Sequence, residues 1–173
     1  YQLNKDKEAL KSYLEDYIEP KMKKFDNLND RLNYLVENDY YSKEILDLYD
    51  QYVIDVIYDF IRAKNFKFQS YMSASKFYQN YALKSNDGEE ILENYEDKVL
   101  IVALTLGNGE PKLAKDIAEK LINQEFQPAT PTFLNAGRAR GGKMVSCFLV
   151  NVEDSCEGIS YAVSSANHLS KIG

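Results

Sequence analysis

The sequence of 173 residues contains no tryptophan, one histidine, four prolines and two cysteines. Two cysteines without a C-x-x-C pair exclude a disulfide-stapled scaffold, so we expect free thiols in a reducing cytoplasm. The longest apolar run, VLIVALTL at 99–106, is far shorter than the roughly 20 residues of a membrane-spanning helix. No secretory signal peptide is apparent. The sequence therefore predicts a cytoplasmic protein with no membrane partner.

Positive charge is also scarce, since 21 basic residues face 27 acidic ones and the net charge is −6. An acidic chain binds nucleic-acid phosphates poorly, so we expect no nucleic-acid partner and, for a nucleotide, only a local site. The sequence has neither a glycine-rich phosphate loop nor a cluster of metal ligands. Its length and its hydrophobic content of 45% suffice for about one domain with its own core.

Helical periodicity covers most of the first 125 residues. A first helix is expected over 5–19, before Pro20, and a second is expected to begin at Asn29 or Asp30. Further helices are predicted within 42–65, 73–84, 97–107 and 110–123. The apolar face of the helix within 42–65 is assigned to four residues: Val53, Val56, Ile57 and Phe60. Asp97 is the predicted cap of the helix within 97–107, which ends at the sequence GNG. The remaining carboxylates are expected on solvated outer faces of the helices.

The character of the chain changes after Glu125. Residues 126–143 show no helical periodicity, and MVSCFLVNV at 144–152 is apolar on both faces, as in a buried strand of a parallel or barrel sheet. Asp154 or Ser155 is then expected to cap a final helix. The residues thus predict a mainly α protein, with a helical domain over 1–125 and the start of a different unit over 126–173.

Cys147 lies in the middle of the predicted strand. A lone cysteine in an apolar strand is more often a small core residue than a reactive thiol. The neighbouring hydroxyl of Ser146 and that of Thr130, in a proline-stiffened segment, nevertheless fit the wall of a pocket for a polar small molecule. Arg138 and Arg140 suit an anionic ligand, although solvation explains them equally well.

Two motifs, PATPTFLNAG and SCFL, are separated by 17 residues from Thr130 to Cys147. Together with KFQSYMSASKFYQNYALK and LENYEDKVLIVALTLGNG upstream, they resemble the N-terminal part of the large (alpha, catalytic) subunit of class I ribonucleotide reductases, and class Ib fits best. The resemblance implies an N-terminal helical domain over 1–125, whose residues 1–50 would be a truncated ATP-cone remnant. The first strand and helix of the ten-stranded α/β reductase barrel would follow over 126–173.

The same resemblance implies a reaction and its residues. Large subunits of this kind replace the ribose 2′-hydroxyl of ribonucleoside diphosphates by hydrogen through thiyl-radical chemistry. Cys147 matches one cysteine of the reducing pair, whose partner lies outside this chain, so the chain alone is expected to be inactive. Thr130 and Ser146 match substrate-binding positions, with Cys147 beside them. Asp154 and Ser155 match the start of the helix at the allosteric effector site, which binds dNTP or ATP.

The implied partners are those of a large reductase subunit. They are a small (beta) subunit that supplies the radical from its own metal, the remainder of the large subunit, a second large subunit, a thioredoxin- or glutaredoxin-like reductant and the nucleotide substrates. No metal or cofactor is expected to bind this chain directly. Two alternatives stay open: a helical protein-interaction module with a core cysteine and no catalysis, and a stand-alone thiol oxidoreductase that uses Cys147 and Cys156.

Overall fold

The computed structural model describes residues 2–172 of the chain, with side chains from residue 4 to residue 171. The described part is mainly helical, as predicted, and contains isolated β-bridges but no strand. Its helices are α1 (Gln2–Ser12), α2 (Leu28–Glu37), α3 (Lys43–Leu46), α4 (Gln51–Ala63), α5 (Tyr71–Asn80), α6 (Tyr95–Gly107), α7 (Pro111–Ile122), α8 (Thr130–Asn135) and α9 (Cys156–Ile172). No helix among the described residues is long and apolar enough to cross a membrane.

Helix α6 is the central element of the core. A helix that is apolar on every side has to be surrounded by other elements, and α6 contacts α3, α4, α7 and α8. The cap is Asn94 rather than the predicted Asp97: the Asn94 side chain accepts a hydrogen bond from the Asp97 amide at 2.8 Å, and Asp97 accepts one from the Asn94 amide at 2.9 Å. This reciprocal pair is a capping box, in which Asp97 occupies the third helical position. The helix ends at Gly107, as the sequence GNG predicted, with Asn108 in the left-handed conformation.

The region 42–65 forms two helices rather than one. Tyr49 interrupts the pattern because its side chain turns inward and donates a hydrogen bond to the carbonyl oxygen of Leu104 at 2.8 Å. The buried face of α4 also differs from the predicted one. It consists of Ile54, Ile57 and Ile61, whereas Val56 is 40% exposed.

The first two helices depart from expectation at their ends. The predicted helix over 5–19 is an α-helix only as far as Ser12 and continues as a π-helix, Tyr13–Ile18, and a short 3-10 turn, Glu19–Lys21. The cap of α2 is Asn27, not Asn29 or Asp30, and its side chain accepts a hydrogen bond from the Asp30 amide at 2.9 Å. Such shifts of a few residues are the common error of sequence-based helix boundaries.

The predicted buried strand at 144–152 is wrong for the described chain. The segment is irregular and its apolar side chains are exposed, with Val145 55% and Val152 57% accessible. A strand is stabilised by backbone hydrogen bonds to a neighbouring strand, and the described residues contain no strand that could pair with this segment. The final helix is confirmed as α9, whereas the short helix α8 was not predicted. The division of the chain at residue 125 stays a prediction.

Candidate functional site

A buried carboxylate, Glu93, pairs with two cations and connects several segments of the chain. Its Oε2 lies 3.0 Å from Nζ of Lys98, and its two oxygens accept hydrogen bonds from Nη1 and Nη2 of Arg138, both at 3.1 Å. The hydroxyl of Tyr41 donates to Oε1 at 2.5 Å, and the amide of Leu83 donates to Oε2 at 2.8 Å. Glu93 and Lys98 are fully buried. The expectation that the carboxylates lie on solvated faces is therefore wrong here.

A second buried ion pair adjoins the first. Nε of Arg31 lies 3.4 Å from Oδ2 of Asp97, whose other oxygen accepts a hydrogen bond from the Tyr58 hydroxyl at 2.7 Å. Nη2 of Arg31 donates to the hydroxyl of Tyr41 at 3.3 Å and thereby joins the two pairs. The joined cluster contains three cations and two carboxylates. We call Glu93, Lys98, Arg138, Tyr41, Arg31 and Asp97 the buried ion cluster.

The electrostatics of this cluster keep the Glu93 carboxylate ionised. Burial alone raises the pKa of Glu93, but the charges of Lys98 and Arg138 outweigh it and lower the pKa to about 2. Burial lowers the pKa of Lys98 to about 8 against the attraction of Glu93. The Lys98 ammonium has a close ion pair, yet within the described chain Nζ makes no hydrogen bond of normal geometry. Excess buried positive charge of this kind is costly, so the cluster depends on Glu93.

The cluster lies beneath a polar groove. Its lining includes Tyr81 and Lys84, from the segment after α5, and Asn135, Arg138 and Arg140, from the segment at and after the end of α8. Glu93 joins these two segments, because it accepts a hydrogen bond from the Leu83 amide in the first and from the Arg138 guanidinium in the second. Hydrogen bonds to one shared carboxylate restrict the spacing of the two segments.

Thr130 does not line this groove but lies beside Tyr81, which does. It is the first residue of α8, where Pro131 fits the first helical turn, and it is exposed. Its hydroxyl lies 3.3 Å from the hydroxyl of Tyr81. Sequence reasoning selected Thr130 and named Arg138, but it missed Tyr81, Glu93 and Lys98. Tyr81 and Glu93 lie within the two upstream stretches that carry the resemblance, but neither periodicity nor spacing assigns them a role.

Ser146 and Cys147 lie together in the irregular segment that follows. Oγ of Ser146 is 3.8 Å from Sγ of Cys147, and both residues are exposed. The segment is held near α8 by two side chains, since Thr132 donates to the carbonyl oxygen of Met144 at 3.0 Å and Asn135 donates to that of Lys143 at 2.8 Å. The predicted burial of Cys147 is wrong, and so is the core cysteine of the interaction-module alternative.

The predicted effector residues lie at the start of α9. Ser155 is the cap, as its hydroxyl accepts a hydrogen bond from the Gly158 amide at 2.9 Å. Asp154 is exposed beside it, and Cys156 begins the helix as a second free, exposed thiol. No group of three or more histidine, cysteine or acidic residues that could hold a metal occurs in the described part of the chain. The structure thus places Ser146 and Cys147 side by side in a segment that is hydrogen-bonded to α8, the helix that Thr130 begins, and it places Asp154 and Ser155 at the start of α9.

Comparison with known proteins gives two matching family models. A model described as ribonucleotide reductase N-terminal matches residues 1–66, and one described as ribonucleotide reductase, all-alpha domain, matches residues 67–141. The second description agrees with the mainly helical fold of the described residues.

Individual relatives match over longer stretches. The chain is 52% identical over its whole length to the ribonucleoside-diphosphate reductase subunit alpha of Bacillus subtilis (strain 168), of which it spans 25%. It is 42% identical over 166 residues, or 96% of its length, to the subunit of the same name from Mycoplasma genitalium, of which it spans 23%. With the ribonucleoside-diphosphate reductase large chain of Encephalitozoon cuniculi it shares 30% identity over 103 residues, or 59% of this chain and 13% of that one.

The chain spans a quarter or less of the length of these relatives. The two family models and the identity over the full chain nevertheless confirm the resemblance first seen in PATPTFLNAG and SCFL. The chain belongs to the ribonucleotide reductase family, in which it corresponds to an N-terminal part of the large (alpha) subunit.

Proposed function

We propose that this chain is part of a class Ib catalytic subunit that reduces ribonucleoside diphosphates to 2′-deoxyribonucleoside diphosphates for DNA precursor synthesis. The observation that carries the proposal is the 52% identity, over every residue of this chain, to a subunit named for that reaction. Motif similarity restricted to one loop would support a fold, whereas this match extends over the whole chain, including the part that contains the residues proposed for the site.

Cys147 is the proposed reductant of the substrate. Replacement of the 2′-hydroxyl by hydrogen takes two electrons, which two thiols supply when they form a disulfide and the hydroxyl leaves as water. Cys147 provides one thiol, and a cysteine outside this chain provides the other. A serine at this position could form no disulfide and could not supply an electron. The exposure of the thiol supports the proposal, because a reductant has to reach its substrate and its partner.

Two hydroxyl groups are proposed to hold the substrate near this thiol. Ser146 precedes Cys147, and its hydroxyl lies within 3.8 Å of the sulfur. Thr130 presents its hydroxyl from the first turn of α8. Both groups bind ribose or phosphate oxygens by donating and accepting hydrogen bonds, and neither adds a titrating group near a radical. The hydroxyls of Ser146 and Thr130 would therefore orient the nucleotide without taking part in the proton and electron transfers of the thiol.

Asp154 and Ser155 are proposed to contribute to the allosteric effector site, which takes dNTP or ATP. They precede α9, whose 17 residues give a sizeable dipole with its positive end at the cap. The Ser155 cap orients the first turn, and an exposed first turn accommodates the phosphates of an effector.

The proposed partners follow from the rest of the reaction. A small (beta) subunit with its own metal supplies the radical, the remainder of the large subunit supplies the second cysteine, and a thioredoxin- or glutaredoxin-like protein reduces the disulfide. A second large subunit completes a homodimer.

The test uses the full-length large subunit together with its small subunit and a reducing partner. Cys147→Ser should abolish multiple-turnover formation of deoxyribonucleoside diphosphate, measured by chromatography of the nucleotide products. Cys156→Ser is the matched control, since it removes the other exposed thiol of this chain, and it should keep at least half of the activity. Retained turnover in Cys147→Ser contradicts the proposal.

A further inference from the structure

The hydroxyl groups of Tyr81, which lines the polar groove, and of Thr130 form a pair. They lie 3.3 Å apart, and either oxygen can be the donor. Tyr81 follows α5 directly, and its ring packs edge to face on Phe133 of α8, with 5.5 Å between ring centres. The aromatic contact fixes the tyrosine ring, so its hydroxyl is preorganised beside that of Thr130.

This pair has hydrogen-bonding capacity to spare. Two hydroxyl groups carry two hydrogen atoms, and their mutual bond uses one of them. Neither oxygen makes another hydrogen bond within residues 2–172. One hydrogen therefore remains for an oxygen atom of a ligand, and the exposed position of Thr130 leaves that oxygen a way in.

Glu93 holds the two sides of the pair at a fixed spacing. It accepts a hydrogen bond from the amide of Leu83, two residues beyond Tyr81, at 2.8 Å. It also binds Arg138, whose Nε donates to the carbonyl oxygen of Leu134 in α8 at 3.1 Å. One fully buried carboxylate thus positions both backbones from which the hydroxyls project. Glu93 is in this sense a positioning residue.

The surroundings of the pair favour an anionic group. Lys84 and Arg140 line the same groove as Tyr81, and Asp39 is the carboxylate among its lining residues. Phosphate oxygens accept hydrogen bonds from hydroxyls and are attracted by lysine and arginine. The diphosphate end of a nucleotide fits these groups better than a neutral base does.

We propose that the Tyr81 hydroxyl is a second substrate-binding group, which binds the diphosphate of the ribonucleotide together with Thr130. The inference rests on the proposed function and extends it to a residue to which the sequence motifs assign no role. It assigns Tyr81 to binding rather than to the chemical step, because the phenol hydroxyl acts here as a hydrogen-bond donor.

The test measures steady-state kinetics of the full-length large subunit with its small subunit, with CDP as substrate. Tyr81→Phe and Thr130→Val each remove one hydroxyl, and each should raise KM about tenfold, as expected for one hydrogen bond to a charged group, with kcat changed less than twofold. The double variant should raise KM less than the product of the single effects, because the two hydroxyls act on one group. Thr130→Ser, which restores a hydroxyl, should return KM to near the original value.

Tyr58→Phe is the matched control. It removes a tyrosine hydroxyl that donates to Asp97 at 2.7 Å, and neither residue lines the groove, so it should lower the melting temperature and leave KM unchanged. Equilibrium binding of CDP to the large subunit alone repeats the comparison without turnover. The inference is overturned if Tyr81→Phe leaves KM unchanged. It is also overturned if Tyr58→Phe raises KM as much as Tyr81→Phe does. Activity of Cys147→Ser in the same assay would instead overturn the proposed function.

Discussion

Arg138 binds Glu93 through two parallel hydrogen bonds of 3.1 Å, and it thereby joins the segment after α8 to the residue that precedes the cap of α6. A guanidinium and a carboxylate match each other in this side-by-side geometry, which restricts their relative orientation as well as their distance. Because Glu93 is fully buried and Arg138 is largely so, loss of the pair leaves charge without a partner in the protein interior.

Glu93→Gln should strongly destabilise the chain. The amide keeps the shape of the carboxylate but leaves Lys98 and Arg138 facing no negative charge. The free energy of unfolding should fall by about 3–5 kcal/mol, the usual cost of breaking a buried ion pair, in urea denaturation followed by circular dichroism. Glu90→Gln is the control, since Glu90 pairs with Lys23 at 3.1 Å on the surface, and it should cost less than about 1 kcal/mol. Equal losses in both variants would contradict the role of the cluster.

The lowered pKa of Glu93 predicts that the stability of the folded chain falls in acid. The pKa of Glu93 is about 2 in the folded chain and 4.5 in its ordinary state, so the folded form binds fewer protons between these values. Its contribution to stability is therefore complete above about pH 4.5 and is lost as the pH falls toward 2. Urea denaturation at a series of pH values should show a steeper fall in this window for the original chain than for Glu93→Gln. Parallel curves would show that Glu93 does not carry this dependence.

Replacement of Gly137 by alanine is predicted to destabilise the chain more than replacement of Gly88, although both glycines have a positive φ. A methyl group there would lie 2.2 Å from Cγ1 of Ile101 at a φ of +71°, whereas at Gly88, with a φ of +79°, it would meet nothing within 4 Å. Gly88→Ala should cost about 1–2 kcal/mol from its backbone conformation alone. Gly137→Ala should cost about 1–3 kcal/mol more, because the packed core around α6 has to move. Thermal denaturation of the two variants gives the difference, and equal costs would contradict the close packing.

Both thiols should react with iodoacetamide in the folded chain, since Cys147 and Cys156 are exposed. Mass spectrometry without denaturant should show two adducts on the chain, and Cys156→Ser should show one. Protection of Cys147 until urea is added would instead support the buried strand that the sequence alone suggested.

The sequence predicted the helices well where their own residues determine them. Pro111 begins α7 and Asn108 ends α6, because fixed or left-handed backbone geometry acts locally. The chain 144–152 was predicted as a strand from its apolar side chains, yet strand formation depends on a neighbouring strand that this pattern cannot supply. Local signals therefore sufficed for most helices and failed where pairing over a distance decides.

The same limit applies to the candidate site. The resemblance of PATPTFLNAG and SCFL to motifs of a known family was enough to name Thr130, Ser146 and Cys147. Glu93 looked like one more surface acid because its partners, Lys98 and Arg138, are separated from it by 5 and 45 residues. Hydrogen-bonded clusters of residues that are distant in sequence carry no periodicity, so only the structure reveals them.

The most direct measurement of the central claim maps disulfides after a single turnover. The full-length large subunit with its small subunit is reduced, freed of reductant, given ribonucleoside diphosphate for one turnover and digested after alkylation of the remaining thiols. Mass spectrometry should find the peptide with Cys147 joined by a disulfide to a cysteine outside residues 1–173, with Cys156 alkylated. Deoxynucleotide product together with alkylated, unpaired Cys147 would contradict the account.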